Sequence, residues 1–233
     1  MSRRTNLRWF GWVLALIIAH AASHDARAQE KKAKPVLASD KGRFRVVLDG
    51  AAVGTEEFEI AFQGQAWVAR DATDLRVPGS GEMKANGELQ LTPDGAPLHY
   101  QWSAESPAVA SGSVDFSDGT AKCTSNLNGP KPIIEEFHFG DTRIIVLDNN
   151  FYYQYAVLAR LYDWGAGGEQ NFHVLIPQDR TPGSLTVKSQ NSGGGLAELL
   201  VKTPDIEIHL FCDSSHRLVR VEVPSSRVVI ERE

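Results

Sequence analysis

The sequence predicts a mainly β protein, a curved antiparallel sheet or half-barrel meander that carries one central α-helix. Three observations point there. Apolar and polar residues alternate with period two from residue 42 to the end of the chain, turn residues interrupt that alternation at short intervals, and one aromatic segment in the middle switches to helical spacing. The composition agrees: 233 residues, 42% hydrophobic and 23% charged, describe an ordinary globular chain and exclude collagen-like, polytopic membrane and wholly disordered classes.

The first 28 residues read as a cleavable signal peptide. Arg3, Arg4 and Arg8 precede an apolar run from Trp9 to Ala19, and Ala26-Arg27-Ala28 supplies a small-x-small cleavage pattern. The run is shorter than the roughly twenty residues a membrane-spanning helix needs, so no stable span is expected once the signal is removed. Arg3-Arg4 partly matches a twin-arginine signal, although Asn6 stands where that pattern has an aromatic, and the export route stays open. The expected address is the periplasm, with secretion as the variant. Residues 29–41, rich in lysine and containing Pro35, read as a flexible tether, and residues 42–233 as a single β-rich domain.

Loss of the signal removes four of the 24 basic residues and one of the 29 acidic ones, leaving a net charge of about −8. A chain this acidic, with no basic stripe beyond Lys31, Lys32 and Lys34, repels a phosphate backbone, which excludes nucleic acid as a partner.

The strands follow in order. Phe44, Val46 and Leu48 alternate with polar residues, then Phe58, Ile60 and Phe62 do the same, with Gly50 and Gly54 between the two runs as hairpin residues. Trp67 and Ala69, Leu89 and Leu91, and Leu98, Tyr100 and Trp102 continue the pattern. Pro93-Asp94-Gly95 and Asp118-Gly119 are turns, because proline fixes φ and glycine accepts positive φ. After the middle of the chain the alternation resumes at Phe172, Val174 and Ile176, at Leu185 and Val187, at Leu199 and Val201, at Ile206, Ile208 and Leu210, at Val219, Val221 and Val223, and at Val228 and Ile230.

Between the halves, Phe151, Tyr155, Leu158 and Tyr162 are spaced four, three and four, which sets them in one stripe of a helix over residues 150–164. Asp148, Asn149 or Asn150 can cap its start, and Gly165, Gly167 and Gly168 end it. The stripe has two readings: it docks the helix onto the sheet, or, with Tyr152 and Trp164, it lines a ligand crevice beside the helix. The second reading makes Phe151, Tyr152, Tyr155, Tyr162 and Trp164 the candidate ligand-binding residues.

Motifs for chemistry are missing. The chain has no His-Glu-x-x-His, no phosphate-binding Gly-x4-Gly-Lys-Ser/Thr and no Gly-x-Ser-x-Gly elbow, so no catalytic residue, metal ligand or cofactor is assigned. Glu136 and His138 share a strand face, with His173 or His209 as further donors, but alternating Glu and His are also what a solvated strand face carries. Cys123 and Cys212 are the only cysteines. Export permits a disulfide between them, while each also fits as a small apolar residue in a strand.

The opening Phe44-x-Val46-x-Leu48-Asp49-Gly50-x-x-Val53-Gly54-x-Glu56-x-Phe58, with Leu91-Thr92-Pro93 through Tyr100 and the terminal run Leu218 to Pro224, resembles uncharacterised exported bacterial β-sheet families, domains of unknown function. That resemblance implies a curved sheet or half-barrel similar to periplasmic lipoprotein carriers, and it brings no catalytic residues. The expected function is noncatalytic: a periplasmic binding or envelope-maintenance protein holding an apolar small molecule or lipid. The alternatives are a scaffold that binds an envelope protein through a strand edge, and a hydrolase whose residues come from distant strands.

Overall fold

The computed structural model describes residues 36–233 apart from residues 80, 107, 128, 192 and 193. The expected signal peptide lies outside the described residues, as does the tether up to residue 35. The rest of that expected tether belongs to the fold: Leu37 is buried, and the first strand already begins at Asp40.

The first half of the chain is a meander of long strands: β1 (Asp40–Leu48), β2 (Ala51–Gln63), β3 (Ala66–Val77), β4 (Gly81–Leu91), β5 (Pro97–Ser106), β6 (Ala110–Ser117), β7 (Thr120–Leu127) and β8 (Ile133–His138). A short strand β9 (Ile144–Val146) leads to the helix α1 (Tyr153–Leu161). A second meander follows: β10 (Glu169–Ile176), β11 (Thr181–Asn191), β12 (Ala197–Lys202), β13 (Glu207–Cys212), β14 (Leu218–Val223) and β15 (Val228–Arg232).

All fifteen strands join one sheet, in the order β8-β7-β6-β5-β4-β3-β2-β1-β15-β14-β13-β12-β11-β10-β9. Every pairing is antiparallel except that of β9 with β10. The two meanders meet where β1 pairs with β15, Val46 opposite Ile230. Arg232 fastens this seam by gripping both carboxylate oxygens of Asp40 at 3.0 and 2.6 Å, with its guanidinium 5.2 Å above the Phe58 ring. β8 and β9 form the ends of the sheet, and β9, fully buried, contacts β5. The ends therefore overlap instead of bonding to each other.

Alternation explains the core. In β2 and β3 the inward positions hold Phe58, Ile60, Trp67, Ala69 and Leu75, while the outward ones hold Glu57, Glu59, Arg70 and Asp74. The helix contacts β3 in one meander and β13 and β14 in the other, so it lies in the concavity of the curled sheet. Ala156, Val157, Leu158 and Ala159 are all buried there.

The turns follow the expected chemistry at Asp49-Gly50 and Asp118-Gly119, where both residues have positive φ as a two-residue hairpin of type I′ requires. Gly54, expected in a turn, instead lies within β2. Its φ is +153° and an added Cβ would sit 2.1 Å from the Asp74 carbonyl oxygen, so it is a close-approach glycine beside the irregularity in the β1–β2 pairing. A second irregularity, between Phe211 and Cys212, breaks the period in β14 and turns both Leu218 and Val221 inward.

The helix is shorter than its aromatic spacing suggests. Asn150 adopts φ +64°, Tyr152 caps the start with no side-chain hydrogen bond, and Tyr162 is already extended with ψ 128°. The Cys123–Cys212 bridge that export would permit is not formed. Both thiols are free and buried, Cys123 on β7 and Cys212 on β13, with β6 through β1, β15 and β14 between them in the sheet. Among the described residues no helix is long and apolar enough to cross a membrane.

Candidate functional site

The two ends of α1 have different surroundings, and the five aromatic candidates divide between them. At the N-terminal end Phe151 is buried edge-on to Tyr100 and Tyr153, with ring centroids 6.5 and 6.4 Å away. Tyr152 and Tyr155 are partly buried, and burial raises the Tyr155 phenol to about 12. These three pack the helix against the sheet, which is the docking reading of the stripe.

The C-terminal end brings the other two together. Tyr162 donates its hydroxyl to the Gly168 carbonyl at 2.7 Å, and its ring meets Trp164 edge-on at 5.1 Å. The Trp164 indole N–H donates to the Ala159 carbonyl at 2.9 Å, which satisfies one of the open acceptors at the helix end. His216 then lies flat against the indole, 4.2 Å between centroids and 4° from parallel. His216 sits in the β13–β14 turn at φ +58°, a left-handed backbone state that histidine enters more readily than most residues with a side chain. Burial, with the nearby Arg160 charge, pulls its imidazole below the ordinary 6.5, so it is neutral at pH 7.

These rings wall one side of a cleft of about 490 Å³, within the size range of small-molecule sites. Ile144, Ile145, Leu161 and Phe172 supply its apolar lining, and Arg143 and Arg160 its positive charge. Of the sequence candidates only Tyr162 and Trp164 line it.

A second cluster lies beneath the start of α1, among the buried inward positions. Glu56 on β2 is fully buried and accepts the Tyr153 backbone N–H at 3.1 Å, doing in trans what a capping side chain does. Asp71 on β3 accepts the Thr73 hydroxyl at 2.9 Å, and its charge acts on the neighbouring Glu56 carboxyl. Glu56 Oε2 and Asp71 Oδ1 are buried with no hydrogen-bond partner among the described residues, so nothing there stabilises a second negative charge beside the first. Burial lifts Asp71 to about 7, and burial together with the Asp71 charge lifts Glu56 well above its usual range.

Asp148 is a third buried acid. It accepts the Tyr100 hydroxyl at 3.0 Å and the Gln178 and Asn149 amides at 2.9 and 3.1 Å, and burial raises it to about 7. Among the described residues none of these three acids is ion-paired to a lysine, arginine or histidine. Glu56 has no exposed surface, and its carboxyl serves the start of α1 from beneath.

The histidines weighed as metal donors pair separately with carboxylates: His138 with Glu136 at 3.5 Å, His173 with Asp141 at 3.7 Å and His209 with Glu198 at 2.7 Å. Among the described residues no group of three or more metal-ligating side chains assembles.

Fold and cleft together define a mainly β, barrel-like protein with an inserted helix and an aromatic cleft at that helix's end. A β-barrel-like protein of the domain of unknown function DUF1849 from Brucella abortus shares this fold, with a TM-score of 0.54 and 10% identity over 84% of this chain and 95% of that one. A DUF1089 family protein from Pseudomonas aeruginosa matches with a TM-score of 0.49 and 8% identity over 73% of this chain and 90% of that one. No family model and no curated protein matches the sequence. The likeness to an uncharacterised bacterial β-sheet family read from the sequence holds, with the Brucella abortus protein, at the level of fold.

Proposed function

We propose that the protein is a noncatalytic binding protein of the bacterial envelope, exported to the periplasm, that holds an apolar ligand such as a lipid in the cleft at the C-terminal end of α1. The observation that carries this reading is the aromatic wall of Trp164, stacked on His216 and met edge-on by Tyr162, beside an apolar lining. Flat rings fixed by hydrogen bonds to the helix end and the β10 approach offer apolar surface whose ordering entropy is already spent, which favours binding over further packing. The buried acids support it indirectly, because they fix the helix from its other end.

Nile red, a neutral apolar dye, tests the cleft. Its emission is expected to rise saturably at one site per chain, and Trp164→Ala should weaken that binding at least tenfold with the far-ultraviolet circular dichroism unchanged. Non-saturable binding, or equal binding by the variant, contradicts the reading.

A second reading has its own observation. The end strand β8 carries Ile134 at 57% exposure, with Ile133 and Leu127 also exposed beside it, and an end strand offers unpaired backbone groups to another chain. Under that reading an envelope protein is recovered by crosslinking at β8, and no small molecule copurifies.

A further inference from the structure

The arginines of the protein divide in an informative way. Among the described residues nine of them, Arg43, Arg45, Arg70, Arg76, Arg180, Arg217, Arg220, Arg227 and Arg232, lie within 4.0 Å of a carboxylate. The remaining two, Arg143 and Arg160, have no carboxylate partner among the described residues, and both line the aromatic cleft. Acids outnumber bases in this chain, 29 to 24, so carboxylates are not scarce.

Each of the two is held by something else. Arg143 lies over the Phe172 ring, its guanidinium carbon 4.9 Å from the centroid, and Arg160 donates one amino group to the Ser215 carbonyl at 2.6 Å. Both contacts leave further N–H donors of each guanidinium unused. The acids at the rim, Asp94 and Asp163, accept from other donors. Asp163 accepts the Gly165 and Ala166 amides, both at 3.0 Å, and Asp94 accepts the Thr92 hydroxyl. Two of the carbonyls that end α1 are occupied as well, Ala159 by the Trp164 indole and Leu158 by the Tyr162 amide.

We infer that the cleft selects an anionic amphiphile, whose apolar body lies against the Trp164 wall and whose carboxylate or phosphate head is gripped by Arg143 and Arg160. This rests on the apolar-binding reading above and adds the charge of the ligand to it. The planar guanidinium fork matches an oxyanion, and the apolar lining strengthens the attraction by excluding water.

Displacement of bound Nile red tests the head group apart from the chain. Dodecanoate, dodecyl phosphate and dodecanol share one alkyl chain, and each is titrated below its micelle-forming concentration at pH 8, where His216 is neutral. The acids are expected to displace the dye at about tenfold lower concentration than the alcohol. Preference for one acid over the other would identify the head as carboxylate or phosphate. Arg143→Gln should bring the acids to the alcohol's value and leave the alcohol unmoved, whereas Arg143→Lys should retain much of the difference. Arg160→Gln provides the same comparison at the other guanidinium. Equal displacement by acid and alcohol in the unmodified protein overturns the anionic selection while leaving the apolar cleft standing. No displacement by any of the three overturns the binding reading itself.

Discussion

Replacing Asp71 by asparagine should make the stability of the protein less dependent on pH. Burial lifts the Asp71 carboxyl from its ordinary 3.8 to about 7, beside a Glu56 carboxyl that is raised as well. Between those two values the folded chain holds a proton that the unfolded chain has released. This contribution to stability is fully present below pH 4 and is lost as the pH rises to about 7. Roughly three pH units at about 1.4 kcal/mol each correspond to about 4 kcal/mol, a large share of the ~5–15 kcal/mol that holds a typical domain together. Asparagine keeps the acceptor used by the Thr73 hydroxyl, brings an amide donor toward Glu56 and cannot ionise. Urea unfolding followed by tryptophan fluorescence, at constant low salt from pH 4 to pH 8, measures the difference between variant and unmodified protein. That difference should move in favour of Asp71→Asn by up to about 4 kcal/mol across the range. A difference that stays constant, or moves against the variant as the pH rises, refutes the account of Asp71 as a buried acid that keeps its proton in the fold.

Three further outcomes follow from the same packing. Gly87→Ala would place a Cβ 2.7 Å from Asp71 Oδ1 and 3.0 Å from the Tyr153 hydroxyl, and should cost about 1–3 kcal/mol in urea unfolding; an unchanged midpoint would mean that the cluster yields to the added methyl at no cost. Arg232→Ala breaks the grip on Asp40 at the β1–β15 seam and leaves a buried carboxylate unpaired, which should cost about 3 kcal/mol or more, and a loss below 1 kcal/mol would place the stability of the seam elsewhere. Burial raises the Cys123 and Cys212 thiols to about 11 and 12, so neither should react with a disulfide reagent at pH 8 until urea unfolds the chain; prompt labelling of the folded protein would contradict their burial.

Much of this architecture is readable from alternation alone, because in a sheet with one buried face each inward residue reports its own position. Phe58 and Ile60 in β2, and Trp67, Ala69 and Leu75 in β3, are inward for that reason. The same rule marks the buried acids: Glu56 shares the parity of Phe58 and Ile60, and Asp71 stands between Ala69 and Leu75, so a charge at a core position was visible in the sequence. Period fails where the backbone slips. The irregularity facing β14 turns Leu218 and Val221 inward together, three residues apart, and Gly54 serves a close contact with β3 instead of a turn. The helix candidates divide because spacing records which side chains share a stripe and not what that stripe meets. Phe151 meets Tyr100 and the core, whereas Trp164, beyond the helix, meets His216 from a turn some fifty residues away. His216, Arg143 and Phe172 come to the cleft from separate loops and strands, and no local pattern ties them together.

The most direct test of the binding reading is the molecule the protein carries. The protein, purified from its native envelope without detergent and analysed by mass spectrometry after solvent extraction, should yield one apolar molecule per chain, bearing a carboxylate or phosphate, and Trp164→Ala should yield none. An empty protein, or one that releases only polar metabolites, contradicts it.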